Sequence, residues 1–159
     1  MTALTWTDTL VLDNPRMDTT HREFVELLNA VAAADDEALL PGFRELLEHT
    51  VEHFAQEERW MLATGFAPEN CHQTQHAMVL QVMREVEQRA AGGETEFIRR
   101  LVPELASWFP QHAEMMDAAL AYHCAQLGYD TTEEALRPGA AAPALPQAPI
   151  TGCGSASCA

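Results

Sequence analysis

Apolar positions recur at three- and four-residue intervals in four stretches of the chain and nowhere alternate strictly, so the pattern predicts four helices and no strand. The first runs from about Asp18 to Ala34, with Asp18 as N-cap and Phe24, Leu27, Leu28 and Val31 as its apolar stripe. The second spans about Glu37 to Thr64. Pro41 suits its opening turn, and Gly65 stands where a C′ glycine is expected. The third runs from about Pro68 to Ala91 and stops at Gly92 and Gly93. The fourth runs from about Glu94 to Leu127 and ends at Gly128. Pro103 and Pro110 lie inside it and invite kinks, and a start near Pro103 is the alternative. Short turns between four helices imply an all-α, up-down-up-down bundle. Ahead of them, Thr5 to Asn14, with Trp6, Leu10, Val11 and Leu12, reads as an extended arm laid over the bundle.

Composition sharpens the boundaries. All 24 acidic and all 9 basic side chains lie at or before Arg137, and every basic one is Arg. From Pro138 to Ala159 there are only uncharged residues, rich in Ala, Pro, Gly and Ser, with too little apolar surface to offset the entropy of ordering. The expectation is a folded domain over 1–137 and a flexible, disordered tail over 138–159. The 159 residues, 47% hydrophobic, amount to about one domain with a sizeable core. A net charge of −15 argues against nucleic acid and anionic membranes as partners, since both are polyanions. No stretch approaches the ~18 apolar residues of a membrane span. The start carries no basic and apolar leader, and four cysteines are few, so a cytoplasmic location with reduced thiols is expected. The arm and the acidic surface permit a monomer.

Seven histidines change the picture: His21, His49, His53, His72, His76, His112 and His123. His53 and Glu57 are four apart, as are His72 and His76, which on a helix leaves each pair about 40° apart on one face. His112 and Asp117 are five apart, about 140° on a regular helix. That spacing suits reaching toward two atoms of a binuclear centre, or a locally distorted helix of the π-bulge kind. His21 follows Asp18 by three. Each pair alone is a weak signal, but every helix contributes an imidazole and two contribute a carboxylate, groups costly to bury unpaired. A metal resolves that cost. Zinc takes four ligands, and calcium and magnesium prefer oxygen. Imidazole with carboxylate suits iron, and seven donors around two irons, with both carboxylates bridging, leave one iron with three nitrogens and the other with two and an open position.

The order Asp18-x-x-His21, His53-Phe54-x-x-Glu57-Glu58-x-x-Met61, His72-x-x-x-His76, Trp108-x-x-x-His112-x-x-x-x-Asp117 resembles the bacterial hemerythrin family over about residues 4–123. The resemblance implies a four-helix bundle around a non-haem di-iron centre that binds O₂ reversibly, for storage, delivery to an oxygen-consuming enzyme, or sensing. By position it implies His72, His76 and His112 on one iron, His21 and His53 on the other, and Glu57 and Asp117 bridging. Trp108 and Phe109 would then approach a dry O₂ pocket. The alternative is a di-iron enzyme acting on nitric oxide or peroxide, or repairing iron–sulfur centres. Relatives of the repair type carry His-x-x-x-Glu where this chain has His112-x-x-x-x-Asp117, which favours a binding protein over an enzyme.

The remaining candidates read more plainly. His49 is expected beside the centre or at the surface, His123 at the end of its helix favouring the dipole, and Glu58 in solvent or hydrogen-bonded. Met61, Met78, Met115 and Met116 are expected to fill the core. Cys71 points away from His72 as an inert thiol. Cys153 and Cys158 form a C-x₄-C pair in the tail.

Overall fold

Helix termini explain where the chain turns in this computed structural model, which describes residues 2–138 and 145–152. Helix α1 (Pro15–Ala33) begins at Asn14, whose side chain accepts from the N–H of Met17, and Pro15 fills the first helical position. The cap is therefore Asn14, not Asp18. Asp18 lies one turn in and accepts the Leu12 N–H instead, fastening the arm. Helix α2 (Asp36–Ala63) is capped by Asp35, so Pro41 lies beyond the opening turn, inside the helix. Gly65 follows at φ +98°, the left-handed conformation anticipated for a C′ residue. Helix α3 (Cys71–Ala91) starts at Asn70, whose side chain caps Gln73.

The fourth rod is made of three pieces. Helix α4 (Glu96–His112) carries both prolines without breaking and passes into a π turn (Ala113–Asp117) and then α5 (Ala118–Leu127). There the Ala118 N–H reaches the Ala113 carbonyl, five residues back. Gly128 closes α5 in the left-handed conformation.

Two apolar clusters form the core, one on each side of a polar middle. The larger packs Phe24, Leu28, Leu39, Phe43, Met83, Ile98, Leu105 and Phe109; the smaller packs Met17, Trp60, Met61, Phe66, Leu120 and Cys124. Each large side chain buried here contributes about 1.5–3 kcal/mol. Met61 and Met116 are buried as expected, but Met78 and Met115 are each 62% exposed, so these two fill no core. The arm crosses the bundle with a short 3₁₀ turn (Asp8–Leu10). The Asn29 side chain holds it, bonding the N–H of Ala3 and Leu4 and the Leu4 carbonyl.

Past α5, a hairpin of two short strands, β1 (Tyr129–Asp130) and β2 (Ala135–Leu136), was not foreseen from the pattern. Two residues per strand are too few to show alternation. The expected tail is partly docked. Residues 145–152 run beside the α2–α3 turn, where Ile150 exchanges backbone bonds with Gly65 and Ala67, and the Thr151 carbonyl accepts from Cys71. Pro146 packs so closely on Gly65 that a Cβ there would meet its ring at 2.7 Å. Residues 139–144 and 153–159, with the C-x₄-C pair, lie outside the described residues.

Candidate metal centre

All seven predicted donors converge between the two apolar clusters, and all are buried. Glu57 divides its carboxylate. Oε1 lies 2.9 Å from His53 Nε2 and 3.3 Å from His21 Nε2, while Oε2 lies 3.4 Å from His72 Nε2 and 3.3 Å from His76 Nε2. Asp117 divides the same way. Its Oδ1 is 3.0 Å from both His72 and His112 Nε2, and its Oδ2 is 3.2 Å from His21 Nε2. The donors thus fall into two groups that could each hold a cation, Glu57–His72–His76–His112–Asp117 and His21–His53–Glu57, sharing Glu57.

Whether a cation fits is decided by where the atoms point. His72 Nε2, Glu57 Oε2 and both Asp117 oxygens are buried without a hydrogen-bond partner, although other donors and acceptors stand within 3.4 Å. One ligand atom from each of Glu57, His72, His76, His112 and Asp117 lies within 4.8 Å of the others, close enough to share an ion. Two donors about 2.1 Å from one ion and at right angles are about 3 Å apart, the spacing seen here. Orphaned buried carboxylate oxygens are costly, and a cation satisfies them. The donor set fits a metal.

Without a metal, protons do part of that work. Burial opposes charge on Glu57, yet the surrounding imidazoles of His53, His21 and His72 hold it well below the usual carboxylate range. Burial and the Glu57 charge oppose ionisation of Asp117, but His112 and His21 prevail and hold it low too. Burial alone would lower His21 and His72. Their closeness and attraction to the Asp117 and Glu57 carboxylates outweigh it, raising His21 to about 10 and His72 to about 9. His53 is lowered, chiefly by burial. His21 and His72 therefore hold positive charge beside the two carboxylates at neutral pH.

The π turn brings the last pair together. Bonds closing over five residues bring positions five apart onto one face, and His112 and Asp117 span that interval. Around the centre, Phe109 meets His21 edge-on at 5.2 Å between centroids and packs on Phe24 at 4.7 Å, walling the two-histidine side. Trp108 stands elsewhere, stacked on His112 at 4.5 Å on the three-histidine side. Phe54, quoted in the motif but assigned no role, lies flat on His76 at 3.8 Å and fixes its ring plane. Gln75, hidden between His72 and His76, also touches His112 and was not singled out, because a glutamine at a helical position gives no pattern of its own.

The lesser histidines settle differently. His49 bonds Glu23 at 3.1 Å near the surface, its ring 5.9 Å from that of His53. His123 serves another helix end than its own, donating to the Thr64 carbonyl just past α2 at 2.8 Å. Glu58 approaches His76 Nδ1 at 3.5 Å. Cys71 is half-buried, with its thiol pKa raised by burial, and the buried Cys124 thiol is pushed up to about 12 by burial and by the Glu57 charge.

Bundle and donor set together define a helical metal-binding protein. Comparison with known families narrows this further: the model of the hemerythrin HHE cation binding domain matches residues 13–123, and the chain belongs to the hemerythrin family. It is similar to a bacteriohemerythrin of Ralstonia nicotianae, 42% identical over 135 residues covering 85% of this chain and 98% of the relative. A bacteriohemerythrin of Pseudomonas paraeruginosa is 27% identical over 141 residues, covering 84% and 92%. One of Stenotrophomonas maltophilia is 28% identical over 125 residues, covering 76% and 81%. No solved structure matches the chain. Among the described residues, no helix is long and apolar enough to cross a membrane.

Proposed function

We propose that the chain binds O₂ reversibly at a pair of irons held by His21, His53, Glu57, His72, His76, His112 and Asp117. The observation that carries this reading is the division of both carboxylates, each presenting one oxygen to each group of histidines. A reduced iron pair held by these residues would supply the redox chemistry that reversible O₂ binding requires. The chain's own part is to leave the two groups unequal. His72, His76 and His112 with two carboxylate oxygens offer five donors, and His21 and His53 with two carboxylate oxygens offer four, so the smaller group keeps more room for an outside ligand. Phe109 and Phe24 stand against that side and exclude water.

The family and the bacteriohemerythrins that the chain is similar to support the same reading. The chain then acts as a monomeric, cytoplasmic store, carrier or sensor of O₂, delivering it to an oxygen-consuming enzyme rather than turning over a substrate. The test is metal content and an optical spectrum on reduced protein. Two Fe(II) per chain, with a charge-transfer band that forms in O₂ and fades under vacuum over repeated cycles, are expected. A single ion per chain, or immediate irreversible oxidation, overturns the reading, and steady turnover of peroxide or nitric oxide would favour the enzymatic alternative.

A further inference from the structure

One imidazole of the centre is held differently from the others. Among the described residues, the Nδ1 atoms of His21, His53, His72 and His76 have no hydrogen-bond partner, and Glu58 at 3.5 Å from His76 does not make one. His112 Nδ1 lies 2.6 Å from Gln75 Oε1. The same oxygen accepts from the Trp108 indole N–H at 3.1 Å. Indole N–H only donates, so the Gln75 amide must turn its oxygen, not its nitrogen, toward this point. An oxygen can meet His112 Nδ1 only if that nitrogen carries the proton. In the neutral ring Nε2 is then the nitrogen whose lone pair is available to a metal, and it lies 3.0 Å from Asp117 Oδ1 and 3.2 Å from His76 Nε2. The relay runs from indole to amide to imidazole to centre, and the Trp108 ring, stacked at an interplanar angle of 26°, holds the imidazole plane as well.

We propose that Gln75 is a positioning residue that fixes the tautomer of His112 and sets its strength as a donor to the bound metal. A ring nitrogen that shares its proton with an acceptor makes the opposite nitrogen more basic, and such partners typically control metal affinity by about 10- to 100-fold. Gln75 is half-buried and lines a groove of about 380 Å³ with Met78, Val79, Val82, Leu105 and Trp108, so the control lies at the molecular surface. The inference rests on the proposed metal site, and on His112 in particular.

The test uses the full chain with Fe(II) alone, without O₂, and compares Gln75→Leu and Gln75→Glu with the unsubstituted protein. Leu removes the acceptor at similar size; Glu keeps it and adds charge. Chelator competition is expected to show affinity for the ion at His112 about 10- to 100-fold lower in the Leu variant and kept or raised in the Glu variant. The midpoint potential of the loaded protein is expected to rise with Leu and fall with Glu. A merely structural role would move both variants the same way. Parent-like values in both, or shifts of one sign, overturn the inference while leaving the O₂ reading intact. If the unsubstituted chain takes up no Fe(II), both fall together. The Glu variant keeps the comparison decisive should Leu disturb folding.

Discussion

Glu57 is the side chain on which most of the centre turns, because its two oxygens meet four imidazoles from three helices. Glu57→Ala is expected to lose at least one iron per chain, whereas His49→Ala, which breaks only a surface pair with Glu23, keeps the full complement; iron analysis of the two variants checks this. Protons respond in a definite direction. In metal-free protein His21 titrates near 10 and His72 near 9, against 6.5 for a free imidazole, so the stability they contribute is complete below pH 6.5 and lost as pH rises through 9 and 10. Denaturant titrations of the metal-free chain across that range should show the decline. Both histidines must shed their protons to bind metal, so loading at neutral pH releases about two protons per chain, measurable with a pH indicator. The convergence of these seven side chains was legible in the sequence because repeated helical spacing of rare residue types is conspicuous. Phe54 stood in the motif without a role and Gln75 escaped notice, because apolar and amide residues are ordinary on helices and only their contacts distinguish them.

Among the elements, the fourth rod was the most informative. A spacing of five between His112 and Asp117 conflicted with a regular helix, and the conflict is resolved as a π turn. The extra residue is absorbed at Ala113–Asp117, where Met115 points outward. Deleting Met115 restores a spacing of four, which a regular helix carries on one face within about 40°. That variant is expected to keep its helical content and its iron. Inserting an alanine after Met115 turns Asp117 about a further 100° away, and at least one iron should be lost. Circular dichroism and iron content on the pair decide the matter. Glycines marked helix ends well, since Gly65 and Gly128 take backbone conformations that other residues resist. The N-cap of α1 was misread because Asn14 and Asp18 are both good caps, and only the arm's route shows that Asp18 is engaged by Leu12.

At the scale of the molecule, the up-down bundle was legible because four amphipathic stretches with short turns admit few arrangements. The docking of 145–152 was not, since its bonds are backbone to backbone and leave no mark on the side-chain pattern. Ending the chain after Pro138 removes the bonds of that segment to Gly65, Ala67 and Cys71, each worth about 0.5–1.5 kcal/mol net. A loss of about 2–4 kcal/mol in urea denaturation is expected, with iron retained. The positive charge held on His21 and His72 beside Glu57 and Asp117 has a further consequence. With apolar packing on both flanks and the charges of His21 and His72 offsetting those of Glu57 and Asp117, folding is expected to precede the arrival of a metal. Uptake of the ion would then follow folding, with the ligating side chains already gathered when it arrives.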